Sequence, residues 1–241
     1  MVITSTIIIT MFRFKQFIVR DESCGMKVGT DGVLLGAWTP LPEHCRRVLD
    51  IGTGSGLIAL MLAQRTDSSI LAIDVDEAAV TQASENFKSS PWADRLKVEH
   101  IALQDLQTAP FDLIVSNPPY FEDSLKNPDP QRRTARHTDN LSFSELLEGS
   151  VRLLRKDGVL AVILPAETEL RFLQLAEARK LTPYIITRVH TREAKPAKRV
   201  LIALRKLISP ISPISSSLVL QDESGAPRSA AYEELCKEFY L

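Results

Sequence analysis

The chain has 241 residues, of which 44% are hydrophobic and 24% are charged, and its formal net charge is -1. This length and composition allow a substantial buried core, arranged as one α/β domain with extensions or as two smaller domains. The near-neutral charge excludes a globally basic nucleic-acid-binding surface, so a nucleic-acid partner would have to bind a local basic patch.

Two further features bear on where the protein works. Cys24, Cys45 and Cys236 lie far apart, with no CxxC pair and no metal-ligand spacing, which is typical of a reducing cytoplasm and predicts no metal site. The apolar residues 1 to 12 are too few to span a bilayer and have no basic residue before their isoleucines. They are predicted to be an edge strand or a disordered extension, so the sequence predicts a cytoplasmic protein without a membrane segment.

From about residue 47 the chain alternates between strand-like and helix-like stretches. Strands are predicted over residues 47 to 52, 70 to 76, 96 to 103, 111 to 117 and 158 to 165, and helices over residues 57 to 65, 77 to 90, 143 to 154 and 167 to 180. This alternation predicts an α/β fold with a doubly wound, mostly parallel sheet, whose ligands bind outside the carboxyl ends of the strands.

The C-terminal part departs from this alternation. Residues 184 to 191 and 199 to 206 are β-rich runs joined by a short basic loop, so they are predicted to pair antiparallel. Residues 208 to 217, ISPISPISSS, are predicted to form an extended linker before a short C-terminal helix. We therefore divide the chain into an N-terminal segment (1–46), a main domain (47–206), and a linker with a C-terminal extension (207–241).

A glycine-rich turn, DIGTGSG, lies between the first predicted strand and the first predicted helix of the main domain. Gly52, Gly54 and Gly56 have no Cβ, so the backbone there can turn sharply and approach a ligand. Leu57 stands where a GxGxxG fingerprint would have its third glycine, which disfavours a pyrophosphate site. Asp74 ends the next strand, where a carboxylate can accept hydrogen bonds from both ribose hydroxyls of a nucleoside.

The fourth predicted strand ends in Asn-Pro-Pro-Tyr, residues 117 to 120. Two prolines could simply end a strand, because they contribute no backbone donor. A chemical use is also available: the Asn117 side-chain carbonyl and the Pro118 backbone carbonyl can accept hydrogen bonds from an exocyclic amine, and the fixed φ of Pro118 and Pro119 holds the second acceptor still. Tyr120 offers a flat face on which a base can stack, extended by Phe121. We predict a catalytic role for Asn117, Pro118, Pro119 and Tyr120.

DxGxGxG followed by a strand and Asp resembles the cofactor site of the class I S-adenosylmethionine-dependent methyltransferases. Asn-Pro-Pro-Tyr resembles the (D/N/S)PP(Y/F/W) motif of amino-methyltransferases, which act on adenine N6, guanine N2, cytosine N4 or a glutamine amide. The resemblance implies a Rossmann-like methyltransferase sheet and S-adenosylmethionine as cofactor. It implies that Asp50 lies near the methionine ammonium, directly or through water, and that Asp105 reaches the adenine amino group. Further cofactor contacts are expected from Gly52, Thr53, Gly54, Gly56, Asp74, Val75, Gln104, Leu106 and Asn117.

Three flanking stretches narrow the resemblance. MKVGTDGVLLGAW (26 to 38), RRTARH (132 to 137) and the closing EFYL resemble the bacterial tRNA1(Val) adenine-N6 methyltransferases, and the likeness covers nearly the whole chain. It implies methylation of adenine 37 in the anticodon loop, and an N-terminal segment that gates the methionine end of the cofactor through Lys27, Gly29, Thr30 and Asp31. From the residues alone, this stretch can also be a turn in which Thr30 or Asp31 caps a helix, and the two interpretations are compatible.

Two basic clusters flank the predicted base pocket, one after Asn-Pro-Pro-Tyr and one around the antiparallel pair, where Arg188, His190 and Arg192 also lie. Either alone could be a solvated surface. Together, in a near-neutral protein, they predict phosphate contacts to a folded RNA. The residues predicted to bind RNA are Arg132, Arg133, Arg136, His137, Lys195, Lys198 and Arg199.

Other substrates make different demands on the chain. Release-factor glutamine methyltransferases have a helical substrate domain before the glycine loop, and only 49 residues precede Asp50 here. Guanine-N2 rRNA methyltransferases typically have a longer chain with an extra RNA domain. A non-catalytic RNA-binding module that kept the fold is disfavoured because Asn117, Tyr120, Asp74 and the glycines are intact. The sequence therefore favours tRNA as the partner, with the rRNA and release-factor enzymes as alternatives.

Overall fold

The computed structural model describes residues 11–119, 141–206, 212–221 and 227–241. Within these ranges the strands are β1 (Met11–Arg13), β2 (Ile18–Arg20), β3 (Arg47–Ile51), β4 (Ser69–Asp74), β5 (Leu96–His100), β6 (Phe111–Ser116), β7 (Leu154–Pro165), β8 (Thr182–His190), β9 (Ala197–Arg205) and β10 (Ile214–Val219). The α-helices are α1 (Thr30–Trp38), α2 (Leu57–Arg65), α3 (Glu77–Lys88), α4 (Phe143–Leu153), α5 (Glu169–Glu177) and α6 (Ala230–Cys236), with a 3-10 turn at Ala166–Thr168.

Eight of these strands form one sheet in the order β10-β8-β9-β7-β6-β3-β4-β5, while β1 and β2 pair separately as an antiparallel ribbon. The strands from β5 to β7 in this order are parallel. The strand β9 runs antiparallel to both β7 and β8. The predicted doubly wound, mostly parallel sheet with an antiparallel pair near its C-terminal end is confirmed.

Helices cover both faces of the sheet because successive strand residues point to opposite sides. Val48 of β3 packs into a core with α1, α2, α3 and α6, and its neighbour Leu49 packs into a second core with α4 and α5. Local signals set some helix starts: Asp76 Oδ1 accepts from Ala78 N–H at 2.9 Å at the start of α3. None of the helices in the described ranges is long and apolar enough to cross a membrane.

The chain leaves β3 for β4 on one side and returns to β6 on the other side, so the connections that follow β3 and β6 lead to opposite sides of this strand pair. Ligands of doubly wound sheets bind at this switch point, because the loops after the two strands separate there and leave a crevice. The glycine-rich turn follows β3, Asp74 ends β4, and Asn117 follows β6. The topology therefore brings the three sequence motifs to one edge.

The predicted linker needs correction, and the predicted N-terminal strand lies only partly within the described residues. Ile214 to Ser217, predicted as linker, belong to β10, which pairs parallel with β8 and binds it through Ser216 Oγ and Thr187 Oγ1 at 2.8 Å. The linker prediction is therefore wrong for these four residues. Residues 11 to 13 form the edge strand β1, while residues 1–10 lie outside the described part, and the domain boundaries stay a prediction.

Candidate active site

A cavity of about 960 Å³ lies at the carboxyl ends of β3, β4 and β6. Its walls come from the N-terminal segment between Cys24 and Gly32, the glycine-rich turn, the ends of β4 and β5, and the start of the loop after β6. Cavities of about 300–1,000 Å³ typically hold small ligands. The predicted residues on its wall are Lys27, Gly29, Thr30, Asp31, Gly52, Thr53, Gly54, Asp74, Val75, Gln104, Asp105, Asn117, Pro118 and Pro119.

The glycine-rich turn has the left-handed backbone that its sequence predicts. Gly52, Gly54 and Gly56 have φ values of 69°, 55° and 82°, a region that L side chains adopt at a cost. At Gly56 space is limiting as well, because a Cβ there would lie 2.5 Å from Cε1 of Phe87 on α3. Gly56 lies at the contact between the turn and α3 and does not line the cavity.

Asp74 holds the glycine-rich turn and faces the cavity. Its Oδ2 accepts from Gly54 N–H at 2.8 Å, and its Oδ1 accepts from Asp76 N–H at 3.0 Å. A carboxylate has about four acceptor positions, so each oxygen retains capacity for one more donor. This geometry fits the predicted hydrogen bonds to two ribose hydroxyls.

Asp50 lies behind the cavity wall. It is fully buried, its Oδ2 accepts from Thr53 Oγ1–H at 2.7 Å, and its Oδ1 has no hydrogen-bond partner within the described ranges. Burial raises the pKa of this carboxyl from 3.8 to about 7, while the Thr53 hydrogen bond opposes the shift. Thr53 is the member of the pair that reaches the cavity, so a contact between Asp50 and the methionine ammonium stays a prediction.

The N-terminal wall is folded by its own polar groups. Asp21 Oδ2 accepts from Val28 N–H at 2.7 Å, and Lys27 Nζ donates to the backbone oxygens of Asp21 and Glu22 at 2.6 and 3.0 Å. The Lys27 ammonium therefore closes the turn that it belongs to, although its side chain also lines the cavity.

The start of α1 differs from the predicted cap. The N-cap is Gly29, with φ of -141°, and no side chain makes a capping hydrogen bond. The prediction that Thr30 or Asp31 caps this helix is wrong, because both lie in its first turn. Asp31 instead accepts from Arg199 Nε–H of β9 at 2.8 Å, which joins α1 to the sheet beside the cavity.

The described part of Asn-Pro-Pro-Tyr lies on the cavity wall. Ser116 Oγ–H donates to Ile51 O at 3.0 Å and so ties the end of β6 to β3. Asn117 Nδ2 approaches Met26 Sδ at 3.9 Å, a contact that the sequence did not predict. Pro118 is buried and Pro119 is half-buried, while Tyr120 and Phe121 lie outside the described residues.

Glu145 is a second wall residue that the sequence did not predict. It is far from the glycine-rich turn in sequence but lines the same cavity. Glu145 Oε1 accepts from Gln104 Nε2–H at 3.1 Å, and its Oε2 accepts from Ser142 N–H at 2.8 Å in a capping box of α4. The Ser142 hydrogen bonds lower the pKa of Glu145. Asp105 is exposed on the wall beside Gln104, and Leu106 is buried beneath it and does not line the cavity.

The two basic clusters have different outcomes. Arg132, Arg133, Arg136 and His137 lie outside the described residues. In the second cluster, Lys195 and Lys198 are exposed, whereas Arg199 pairs with Asp31 and Arg188 pairs with Glu169. Phosphate contacts stay a prediction for all of them. Across the part of the chain that the structure describes, no group of His, Cys, Asp and Glu is arranged to hold a metal ion.

The cavity brings the glycine-rich turn, Asp74 and Asn117 together at the carboxyl edge of the sheet, which is the arrangement expected of a methyltransferase that uses S-adenosylmethionine. The chain belongs to the methyltransferase small domain family, whose model matches residues 32–181. It is 46% identical over 237 residues to the tRNA1(Val) (adenine(37)-N6)-methyltransferase of Bacteroides fragilis, which covers 95% of this chain and 97% of that relative. The resemblance seen in the sequence is thereby confirmed, and the chain belongs to the family of these enzymes.

Solved structures support the fold. A "predicted O-methyltransferase" from Agrobacterium tumefaciens superposes with a TM-score of 0.68 at 16% identity, covering 87% of this chain and 96% of that chain. A candidate class I S-adenosylmethionine-dependent methyltransferase from Listeria monocytogenes has a TM-score of 0.56 at 14% identity, covering 86% of this chain and 66% of that chain. At these sequence identities the structural similarity supports the fold and does not identify the substrate.

Proposed function

We propose that this protein transfers the methyl group of S-adenosylmethionine to N6 of adenine 37 in tRNA1(Val). The observation that carries the proposal is that Asn117 and Pro118 lie on the wall of the same cavity as the glycine-rich turn and Asp74, in a chain that is 46% identical to a relative named for this activity. The similarity covers 95% of the chain, whereas the family model covers residues 32–181. Likeness in the flanks supports a shared substrate as well as shared chemistry.

The residues around the cavity fit S-adenosylmethionine. Asp74 has acceptor capacity for the ribose hydroxyls, and Asp105 stands on the wall where the adenine amino group is expected. Thr53 and the segment around Lys27 form the wall assigned to the methionine end. When bound, the cofactor supplies an electrophilic methyl group on a sulfonium.

Asn117 and Pro118 would act on the amine of the substrate. The lone pair of an adenine N6 amine is delocalised into the ring, so the amine is a poor nucleophile. Asn117 Oδ1 and Pro118 O would each accept one N6–H, which directs the lone pair at the methyl group and stabilises the positive charge that builds on N6. One such preorganised hydrogen bond is typically worth about 10²–10³ in rate. The proton then leaves to water, and catalysis rests on positioning and electrostatics.

Binding of tRNA would use the surface beside the cavity. Lys195 and Lys198 are exposed in and after the loop between β8 and β9, and Arg199 at the start of β9 pairs with Pro165 at the carboxyl end of β7. This loop therefore lies at the same edge of the sheet as the cavity. Lysines there can neutralise phosphates next to a base that enters the cavity. A cytoplasmic location is part of the proposal, since the reaction needs tRNA.

The test is methyl transfer from radiolabelled S-adenosylmethionine into unmodified total tRNA, followed by digestion to nucleosides. We expect N6-methyladenosine from the wild type, and a loss of at least about 10²-fold in turnover for Asn117→Ala. Calorimetry with S-adenosylhomocysteine serves as the control, because Asn117→Ala should still bind it. Unchanged turnover in Asn117→Ala would overturn the mechanism, and label in rRNA or a release factor instead of tRNA would replace the substrate.

A further inference from the structure

Asn86 on α3 joins the glycine-rich turn of the cavity wall to Arg20, a residue distant in sequence that leads into the N-terminal wall. Its side chain is 3% exposed. Its Oδ1 accepts from Arg20 N–H at 3.1 Å, and its Nδ2 donates to Arg20 O and to Ser55 O, both at 2.8 Å. The orientation of the amide is fixed, because the two carbonyl oxygens can only accept hydrogen bonds.

Of the two segments held by Asn86, one leads into the N-terminal wall and the other is itself part of the cavity wall. Arg20 ends β2, and the next residue, Asp21, binds Val28 and Lys27 of the N-terminal wall. Ser55 lies in the glycine-rich turn and lines the cavity itself. Asn86 thus links the residue before the N-terminal wall to the glycine-rich turn.

Two other residues of α3 also contact these segments. Phe87 packs against Gly56, where an added Cβ would lie 2.5 Å from its ring. Gln82, one turn earlier, accepts from Ser23 N–H through Oε1 at 3.4 Å. Of these residues, Asn86 alone hydrogen-bonds to both segments within the described part of the chain.

We propose that Asn86 is a positioning residue for the methyl-transfer reaction, which holds residues 21–29 and the glycine-rich turn in register for cofactor binding. Asn86 does not line the cavity, so it acts through the backbone of Arg20 and Ser55. The inference rests on S-adenosylmethionine as cofactor and not on the identity of the tRNA. Asparagine suits the position because one flat group must accept from one N–H and donate to two carbonyls.

The test is Asn86→Asp, which keeps the shape and replaces the donor by an acceptor that faces two carbonyl oxygens. We expect the dissociation constant for S-adenosylhomocysteine, measured by calorimetry, to rise by about tenfold or more. In the tRNA assay, KM for the cofactor should rise while kcat at saturating cofactor changes much less. Failure of the tRNA assay with the wild type would count against the substrate only, because the calorimetry does not use tRNA.

Thr187→Val is the matched control. Thr187 is a buried residue of β8 that hydrogen-bonds with Trp38 Nε1–H at 3.0 Å and with Ser216 Oγ, away from the cavity. Its variant should lower the unfolding midpoint without changing cofactor affinity. If Asn86→Asp also lowers the midpoint but leaves the dissociation constant within about twofold of wild type, Asn86 is only structural. If Asn86→Asp does not fold, Asn86→Ser, which replaces the amide by one hydroxyl on a shorter side chain, is measured in the same way and judged by the same result.

Discussion

Asp50→Asn is expected to remove a pH dependence of folding stability. Burial raises the pKa of this carboxyl from 3.8 to about 7 in the native protein. Between these values the native state holds a proton that the unfolded chain has released, so the free energy of unfolding falls as pH rises through this window. A shift of this size corresponds to a loss on the order of 4 kcal/mol across the window, since each pKa unit is worth about 1.4 kcal/mol.

Urea denaturation of both proteins between about pH 4 and pH 8 measures the effect. The Asn variant keeps a carbonyl for the Thr53 hydroxyl and cannot ionise, so its stability relative to wild type should increase as pH rises towards 7 and then level off. Asp105→Asn is the matched control, because it removes the same charge from an exposed position on the same cavity. Parallel curves for wild type and Asp50→Asn would refute the argument that burial holds the proton.

Two further predictions concern the glycine-rich turn and the RNA surface. Gly56→Ala should destabilise the protein by about 1–3 kcal/mol more than Gly54→Ala. Both positions have positive φ, but only at Gly56 would the added Cβ lie against Phe87. Urea denaturation of the two variants compares their free energies of unfolding, and equal losses would contradict a steric clash with Phe87. Replacing Lys195 and Lys198 together by Ala should weaken tRNA binding and reduce the salt slope by up to about two. Filter binding at several salt concentrations measures this, with Lys156→Ala at the amino end of β7 as the control, and an unaltered slope would exclude these phosphate contacts.

The fold could be predicted where burial on both faces produces a clear signal. Strands such as β3 and β6 are short apolar runs that end at turn residues, and α2 was predicted with the bounds it has. β10 was missed because four of its six residues are exposed, so neither alternation nor apolar content marks it. Its structure comes from parallel pairing with β8 at the end of the sheet, a tertiary effect that a local pattern does not carry.

The candidate site was readable because its main groups follow strand ends, and parallel strands bring their carboxyl ends to one edge. Asp74 and Asn117 illustrate this. Met26 was missed as the neighbour of Asn117 because the irregular segment around it has no periodic pattern, and the contact spans 91 residues of sequence. Glu145 is visible in the sequence only as part of a capping box with Ser142, and Asn86 only as one polar residue of an amphipathic helix.

Charge is distributed unevenly around the cavity. This distribution suits a near-neutral protein to two ligands of opposite charge, the cationic cofactor and the anionic tRNA. The described wall contains five acids, Asp31, Asp74, Asp76, Asp105 and Glu145, but Lys27 is its single lysine or arginine. Asp31 is paired with Arg199, and the Lys27 ammonium is engaged by backbone oxygens. The remaining acids favour a cationic sulfonium and disfavour phosphate inside the cavity. We therefore expect phosphate contacts from residues outside the cavity, as proposed for Lys195 and Lys198, and entry of only the tRNA base into the acidic cavity.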